Sequence, residues 1–385
     1  MKHLYSLLLF LFLITNLQSA DLDISKMRDP KSIIEKVNKG YDVNSIRSSD
    51  GYTLMHYAAE LGNLELVKFL IKKGSHLNPA MKSGGTPLSV AINFNKKEII
   101  KVLLEAGVDP NYKLGDSDSK RSHFHYFIAR TRKIDKSIFD LFLAKGADIE
   151  TKDFYTETPL ITASQLEHSM KDNAKYLIDA GADLNAGDQF GKTPLMNAVF
   201  SQNFELIKIL LQSGAKVDQV DREGSSALIA MINMGAGVDA DKQKPKIMEL
   251  LLAAGSDIDL RNKDGNTALH MAVVGGRQSI LDYLIQKNPD SSIQNKNKKT
   301  ALDQAIINEN WDAVKSLLTI EKDINVLDSY GSTKLHSAII NEKVELIKIL
   351  LEAGADKETK DKWGKSSIEL AKSLGNQKII SLFEN

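Results

Sequence analysis

Cysteine is absent from the 385-residue chain. Without a thiol there can be no disulfide, no catalytic thiolate, no cysteine-ligated zinc or iron–sulfur centre and no lipid on a cysteine. An excess of either charge is also missing, because 50 Lys and Arg balance 50 Asp and Glu. A dedicated nucleic-acid-binding protein usually carries a strong basic excess, so this balance argues against that class. Phosphate-binding glycine loops, zinc-protease motifs and nucleophile elbows are missing too. We therefore expect neither an enzyme nor a bound metal or cofactor.

Long apolar runs are scarce, and the only one is at the N-terminus, at Leu4–Ile14. It follows a short basic start and precedes a small residue, Ala20, which is the pattern of a signal peptide. The pattern predicts a signal peptide over residues 1–20 and a linker over 21–28. The run is shorter than the ~20 apolar residues of a transmembrane helix. Gln18 stands where a small residue usually precedes the cleavage site, so an uncleaved N-terminal membrane tether stays the alternative.

The rest of the chain repeats. A threonine or serine recurs as an anchor at Thr53, Thr86, Ser122, Thr158, Thr193, Ser226, Thr267, Thr300, Thr333 and Ser366. Five of the nine intervals are 33 residues, and the others are 35, 36, 36 and 41. An apolar residue stands two positions after every anchor, and alanine stands five positions after eight of the ten. A fixed period of this length is typical of stacked repeats.

Each repeat contains two short apolar stretches at helical spacing, such as Ala301–Ile306 and Val314–Leu318. A glycine usually follows the second stretch, as at Gly74 and Gly354, where a left-handed residue would end a helix. Each repeat is therefore expected to be a pair of amphipathic helices. One pair cannot bury its apolar face alone, so neighbouring pairs must stack.

These residues resemble the ankyrin repeat family, whose unit begins T-P-L-H-x-A-A and ends L-L-L-x-x-G-A-D-x-N. The best matches are Thr53–Ala59 and Leu350–Asp356, and the resemblance covers roughly residues 29–385. It implies an all-α solenoid of about ten helix pairs with short β-hairpin fingers. Asn288 and Glu321 replace the closing glycine of two repeats, and looser helix ends are expected there.

The predicted organisation is a signal peptide, a linker and one ankyrin repeat domain over residues 29–385. Within that domain we expect a half-repeat cap at 29–52, repeats over 53–365 and a C-terminal cap at 366–385. Four repeats carry insertions, and the largest runs over Gly235–Pro245. Its glycine and proline content predicts a longer loop between helices. That loop is either a partner contact or a tolerated surface insertion.

Four repeats carry an aromatic residue three positions before the anchor, at the tip of a finger: Tyr155, Phe190, Tyr330 and Trp363. An aromatic side chain on a rigid element gives a large contact area with little rotamer entropy to lose. We therefore predict that these four residues bind a protein partner. The alternative is that each ring packs against its own neighbouring finger.

Four histidines stand three positions after an anchor, at His56, His125, His270 and His336. The resemblance implies a structural role, in which each ring bridges the backbone of adjacent hairpins. Histidines one repeat apart do not converge on one metal ion. His123 and His125 do not share a face of a helix either, because they are two residues apart.

The resemblance implies a monomeric scaffold that binds a partner protein through its concave face and fingertips. A secreted effector acting on proteins of another cell and an enzyme with a site between repeats are the alternatives. Only eight of the 50 basic residues are arginine, which suggests an AT-rich bacterial genome. Together with the signal pattern, this predicts a periplasmic or secreted bacterial protein.

Overall fold

The structure is a computed structural model, and it describes residues 29–47, 49–115, 120–165, 171–234 and 240–384. The predicted signal peptide and linker therefore lie outside the described residues. The regular elements of the described part are 21 α-helices and a final short 3-10 turn. The chain divides into two compact units, residues 1–215 and 216–385.

The first unit contains one single helix and then five helix pairs. They are α1 (Pro30–Asn38), α2 (Leu54–Leu61), α3 (Leu64–Lys72), α4 (Pro87–Asn93), α5 (Lys97–Glu105), α6 (His123–Arg130), α7 (Lys136–Ala144), α8 (Pro159–Gln165), α9 (Lys171–Asp179), α10 (Pro194–Phe200) and α11 (Phe204–Gln212). The first helix of each pair packs on the second and on the first helix of the next pair. The pairs therefore share one continuous apolar core along the unit.

The second unit contains five further pairs. They are α12 (Ala227–Asn233), α13 (Ala240–Ala253), α14 (Ala268–Val274), α15 (Gln278–Ile285), α16 (Ala301–Ile307), α17 (Trp311–Leu318), α18 (Lys334–Ile340), α19 (Val344–Glu352), α20 (Ser367–Leu374) and α21 (Gln377–Ile380), followed by the 3-10 turn Ser381–Phe383. The helices of each pair again pack together, and second helices stack on second helices.

The anchor residues of the repeat are the N-caps of the first helices. Thr300 shows the arrangement, because its hydroxyl accepts the backbone N–H of Asp303 at 3.1 Å. The Asp303 carboxylate accepts the backbone N–H of Thr300 in return at 3.0 Å. This capping box satisfies two backbone donors that a helix start would leave unpaired. The cap fixes where each first helix begins, and so it explains the Thr or Ser column.

The remaining columns of the repeat form the core. The apolar residue two positions after the anchor and the alanine three residues later are buried, as Leu302 and Ala305 illustrate. Burying a leucine side chain stabilises a fold by roughly 1.5 to 3 kcal/mol. The small alanine lets neighbouring first helices approach closely.

A left-handed residue follows most second helices, as the closing glycines predict. Gly74 has φ +80° and Gly354 has φ +86°. Asn288 takes over this conformation in its repeat with φ +55°. Glu321, which replaces the closing glycine in the other repeat, does not have a positive φ. The second helix of that repeat therefore ends without a left-handed residue at this position.

The fingers are tight turns rather than extended hairpins. Within the described residues, backbone pairing across a finger is limited to isolated antiparallel bridges, such as Lys113 with Ser122 and Lys360 with Ser366. The described fingers thus connect the repeats through turns and single bridges.

The prediction of a loop through Gly235–Pro245 was wrong at its C-terminal end. Helix α12 ends at Asn233, residues 235–239 lie outside the described residues, and α13 begins at Ala240 with Pro245 inside it. Pro245 is the sixth residue of α13, where proline removes one backbone hydrogen bond and crowds the preceding turn, and the helix nevertheless continues to Ala253. The insertion therefore lengthens the second helix, which has 14 residues instead of the usual nine.

Candidate functional site

The fingers that carry the predicted binding residues share one turn. In the finger of residues 328–332, Asp328 accepts the backbone N–H groups of Tyr330 at 2.8 Å and Ser332 at 3.0 Å. Its own N–H donates to the carbonyl of Ser332 at 2.9 Å, and Gly331 has φ +75°. Glycine adopts that conformation without steric cost. One carboxylate therefore holds each tip, and a left-handed residue follows the aromatic one: Gly191, Gly331 or Gly364 in three fingers, and Thr156 with φ +59° in the Tyr155 finger.

The same turn presents all four predicted aromatic residues. The carboxylate of the aspartate two residues earlier accepts the backbone N–H of each aromatic residue, at 2.8 or 2.9 Å. In the first unit, Tyr155 is 46% exposed and Phe190 is 56% exposed. In the second unit, Tyr330 is 73% exposed and Trp363 is 64% exposed. The rings are thus presented to solvent, and their role in binding stays a prediction.

Backbone hydrogen bonds join neighbouring aromatic fingers. In the first unit the N–H of Gln189 donates to the carbonyl of Tyr155 at 3.2 Å. In the second unit the N–H of Lys362 donates to the carbonyl of Gly331 at 2.8 Å. Each unit therefore presents a pair of aromatic residues on two linked fingers, with Phe190 beside Tyr155 and Trp363 beside Tyr330.

Nearby charges and rings contact these side chains without covering them. Phe154 packs edge-on against Tyr155, with the ring centroids 5.4 Å apart. The ammonium group of Lys192 lies 5.9 Å from the ring of Phe190 and 5.6 Å from that of Phe200. In the second unit, the ammonium group of Lys362 lies 4.4 Å from the ring of Trp363. Such cation–π contacts restrain the side chains in the free protein.

The exposed apolar side chains are segregated. Sixteen large apolar residues among the described ones are exposed, and each lies either in a finger segment or at the C-terminal end of a first helix. They are Ile46, Leu61, Phe94, Phe154, Tyr155, Phe190, Phe200, Val220, Val274, Ile307, Val326, Leu327, Tyr330, Ile340, Trp363 and Leu374. Within the described residues, the second helices contribute none. Exposed apolar side chains that are concentrated in one part of a protein's surface, as within each unit here, are typical of an interaction site.

Part of this surface was missed by the sequence analysis. Val274, Ile307 and Ile340 are the last residues of α14, α16 and α18, and all three are more than half exposed. We call these three residues the apolar stripe. The signal was available, because each stands seven positions after its anchor, where a residue at the end of a first helix faces solvent. A polar residue is expected there in an isolated scaffold.

The histidine column is structural in three of its four members. The Nε2 atoms of His56, His270 and His336 contact the carbonyl oxygens of Gly85, Lys299 and Lys365 in the next repeat at 3.2, 2.9 and 3.1 Å. Their Nδ1 atoms lie 2.8 or 2.9 Å from the anchor hydroxyl. Each ring therefore ties the start of one helix to the finger of the following repeat.

His125 departs from this pattern. Its Nε2 lies 2.7 Å from the Thr162 hydroxyl, and its buried Nδ1 has no hydrogen-bond partner among the described residues. His123 is buried as well, between the Thr86 hydroxyl at 2.7 Å and the carbonyl of Asp109 at 2.9 Å. Burial lowers the pKa of His123 to about 4. Burial and then the positive charge of Arg121 lower the pKa of His125 to about 3.

No group of three or more His, Asp or Glu side chains in the described part of the chain is arranged to hold a metal ion. Within the same residues, no helix is both long and apolar enough to cross a membrane.

Comparison with known proteins gives one family. The model of ankyrin repeats in three copies matches residues 25–113, 124–231, 238–328, 293–361 and 308–384. The crystal structure of the ankyrin repeat domain of Bcl-3 is similar with a TM-score of 0.50 and 24% identity. It covers 60% of this chain and 99% of that domain, which supports the fold alone.

Several relatives are larger proteins. A protein of Danio rerio that is named as the palmitoyltransferase ZDHHC13 is 30% identical over 199 residues, which are 50% of this chain and 29% of that protein. Neurogenic locus notch homolog protein 1 of Xenopus laevis is 30% identical over 232 residues, 56% of this chain and 9% of that protein. Transient receptor potential cation channel subfamily A member 1 of Homo sapiens is 28% identical over 229 residues, 57% of this chain and 20% of that protein. The chain thus spans less than a third of each of these relatives. Its helix caps, alanines and closing glycines recur at the period of the repeat, and the family model matches most of its length. The chain belongs to the ankyrin repeat family.

Proposed function

We propose that this protein is a non-enzymatic scaffold that binds a partner protein through its fingertips and the adjacent ends of its first helices. Ankyrin repeats are typically protein–protein interaction scaffolds. The observation that carries the proposal is the segregation of exposed apolar side chains onto the fingers and first helices. A protein with no partner for that surface would place such residues singly over all faces.

The geometry suits recognition by a few strong contacts. Tyr and Trp are enriched among the residues that dominate binding energy at protein interfaces, and truncating one of them costs about 2 kcal/mol or more. In each unit the two aromatic residues stand on turns that an aspartate holds in place, as Asp328 and Asp361 do. Little conformational entropy is lost when such preorganised side chains bind.

The experiment selects ligands for the full chain from a random peptide library displayed on phage and measures their affinities by fluorescence polarisation. Two variants remove the aromatic pairs, Y155A/F190A in the first unit and Y330A/W363A in the second. The matched control, F69A/Y283A, removes two partly exposed aromatic residues from the second helices α3 and α15. Circular dichroism verifies that helical content is unchanged in all three.

Selected peptides are expected to lose about 30-fold or more in affinity for one fingertip variant, which corresponds to about 2 kcal/mol. Their affinity for the control should stay within about twofold of wild type. Equal binding to all three variants, or loss with the control alone, would place the interaction on another surface and refute the proposal.

We also propose that the protein is exported by bacteria to the periplasm or the medium and works there as a monomer. The support is the sequence pattern of residues 1–20 and the low arginine content. Expression of the full chain in a bacterium, followed by fractionation and N-terminal sequencing, tests the proposal. A mature N-terminus at Asp21 in the periplasm or medium is expected. Retention of Met1 in the cytoplasmic fraction would contradict export, and an intact chain in the membrane fraction would favour the tether.

A further inference from the structure

We propose that three consecutive fingers of the second unit bind an acidic, amphipathic segment of a partner protein. They are the lysine finger, residues 295–299, and the two aromatic fingers, residues 328–332 and 361–365. This inference rests on the proposed function and gives the partner a chemistry, namely Asp or Glu side chains interspersed with large apolar ones.

The charge of these fingers is strongly one-sided. They contain five lysines and two aspartates. The lysines are Lys296, Lys298, Lys299, Lys362 and Lys365, and all five are exposed. The structure gives none of them a carboxylate partner in the described part of the chain, whereas Lys334 and Lys343 nearby do pair, with Asp303 and Glu309.

The two aspartates offset part of this charge, because Asp328 is exposed and stays negative while it holds its turn; five lysines and two aspartates leave the three fingers a net charge of +3. Asp328 accepts two backbone N–H groups, and Asp361 accepts those of Trp363 and Lys365, both at 2.9 Å. Asp361 is also buried. The exposed charge at these tips is therefore positive and ready to meet carboxylates.

The lysine finger keeps a lysine where glycine is expected. Lys298 stands at the turn position that Gly331 and Gly364 occupy in the next two fingers, and it shares their left-handed conformation with φ +57°. A residue with a β-carbon is strained in that conformation. Where the next two fingers have glycine at this position, the lysine finger thus presents an exposed ammonium group.

Apolar surface accompanies the charge. Tyr330 and Trp363 stand between and beside the lysines, on fingers joined by the hydrogen bond from the Lys362 N–H to the Gly331 carbonyl. Ile307 and Ile340 of the apolar stripe belong to the helices that begin directly after the lysine finger and the Tyr330 finger. Apolar side chains at an interface favour a peptide over a nucleic acid, whose polar backbone dominates its contacts. The zero net charge of the whole chain agrees with that choice.

The aromatic fingers of the first unit supply an internal comparison. The finger of residues 153–157 carries Asp153 and Glu157 and no basic residue, and that of residues 188–192 balances Asp188 with Lys192. They present aromatic residues without a positive excess. An acidic ligand should therefore distinguish the two sets of fingers, whereas a merely apolar ligand should not.

The test uses the full chain and three fluorescent probes. The first is a synthetic peptide of about 12 residues in which Glu and Asp alternate with Leu and Phe, a length that spans several fingers in an extended conformation. The second is its neutral twin, with Gln and Asn in place of Glu and Asp. The third is single-stranded oligouridine of similar length. Affinities are measured by fluorescence polarisation at low and at high salt.

Four variants accompany the wild type. K296E/K298E/K362E reverses charge on the fingers, and K246E/K315E/K348E reverses as many exposed lysines on the second helices α13, α17 and α19. Y330A/W363A and Y155A/F190A remove the aromatic pairs of the second and first unit. A fifth variant, Lys298→Gly, removes one charge and at the same time relieves the backbone strain, so its effect on binding cannot come from unfolding.

The acidic peptide is expected to bind at least about tenfold more tightly than its neutral twin and to weaken as salt screens the charges. K296E/K298E/K362E and Y330A/W363A should each lose about tenfold or more, whereas K246E/K315E/K348E and Y155A/F190A should not. Lys298→Gly should bind the acidic peptide more weakly while its urea midpoint stays equal or rises.

Equal binding of both peptides, dependent on Tyr330 and Trp363, would overturn the acidic preference and leave the proposed function intact. Tighter binding of oligouridine than of the acidic peptide would assign the surface to nucleic acid and overturn the inference. Loss of the acidic peptide with K246E/K315E/K348E but not with K296E/K298E/K362E would also overturn it. Absence of any peptide binding would overturn the inference as well. The proposed function would then be tested separately by the binding of the phage-selected ligands to the fingertip variants.

Discussion

Lowering the pH from 7 to 5 should destabilise the protein through two buried histidines of α6. The neutral ring of His123 accepts from the Thr86 hydroxyl and donates Nδ1–H to the carbonyl of Asp109. A second proton on Nε2 would force the Thr86 hydroxyl to turn from donor to acceptor and would bury a charge. The Thr162 hydroxyl donates to Glu157 at 3.2 Å and therefore accepts from the Nε2 of His125.

Acid should lower the free energy of unfolding, because folding lowers the pKa of both histidines. The pKa of an unfolded histidine is about 6.5, whereas in the folded protein the pKa of His123 is about 4 and that of His125 is about 3. Below pH 6.5 the unfolded chain therefore binds protons that the folded chain does not, and the free energy of unfolding falls as the pH falls. This loss ends only when the pH passes below the folded-state pKa values.

The same pKa values give the magnitude of this loss in the free energy of unfolding. Between pH 7 and pH 5 each histidine should lower the free energy of unfolding by about 2 kcal/mol, and the pair by about 4 kcal/mol. That is a large part of the ~5 to 15 kcal/mol that stabilises a typical domain. The variant H123Q/H125Q cannot take up these protons in either state.

The assay is urea unfolding followed by circular dichroism at a series of pH values. H123Q/H125Q is expected to start from a lower stability at pH 7, because glutamine packs less well there, and to lose about 4 kcal/mol less than wild type on going to pH 5. H76Q, which alters an exposed histidine, controls for general effects. If H123Q/H125Q shows the same pH slope as wild type, the two buried rings do not carry the pH dependence and the reasoning fails.

Two further predictions concern packing. A β-carbon on Gly224 would lie 2.7 Å from the backbone nitrogen of Lys263 in the next finger, whereas one on Gly354 would meet nothing within 4 Å. Both glycines have positive φ, so Gly354→Ala should cost about 1 kcal/mol of conformational strain. Gly224→Ala should cost about 2 to 4 kcal/mol, because the added carbon also clashes with the next finger. Equal urea midpoints for the two variants would contradict the close approach of the fingers. Phe142 is fully buried with its ring centroid 4.8 Å from that of Phe127; Phe142→Ala should therefore lower the free energy of unfolding by about 3 to 5 kcal/mol, and a loss below about 1 kcal/mol would show that the site is not tightly packed.

Much of the fold could be predicted because each conserved position of the repeat within this chain indicates one local feature of the structure. The Thr or Ser anchor at Thr300 predicts the N-cap, the alanine at Ala305 predicts close helix packing, and the glycine at Gly354 predicts a left-handed helix end. Each column depends on neighbours within one or two repeats. Local sequence is therefore sufficient to specify local structure.

The errors and omissions have local causes too. The helix through Pro245 could not be anticipated, because a proline in a helix interior removes one hydrogen bond and crowds the preceding turn, so local propensity favours a loop there. A buried contact supports this helix, because the ammonium group of Lys244 donates to the Met234 carbonyl at 3.1 Å, and the periodic pattern does not reveal such a contact.

The candidate site was predictable only in part. The aromatic residue at the fingertip deviates from the repeat and is visible in the sequence, as at Trp363. The apolar stripe was missed, because Ile307 and Ile340 continue the apolar pattern of their helices and look like core residues. Their place seven positions after the anchor, at the last residue of a first helix, is the signal that marks them as exposed.

Binding of protein through the fingers and first helices can be measured by hydrogen–deuterium exchange of the full chain with and without a saturating ligand selected from the peptide library. We expect the ligand to slow exchange in finger segments such as 328–332 and 361–365 and at the last turns of first helices such as α16 and α18. Protection confined to second helices such as α17 and α19, with the fingers exchanging as fast as in the free protein, would contradict it.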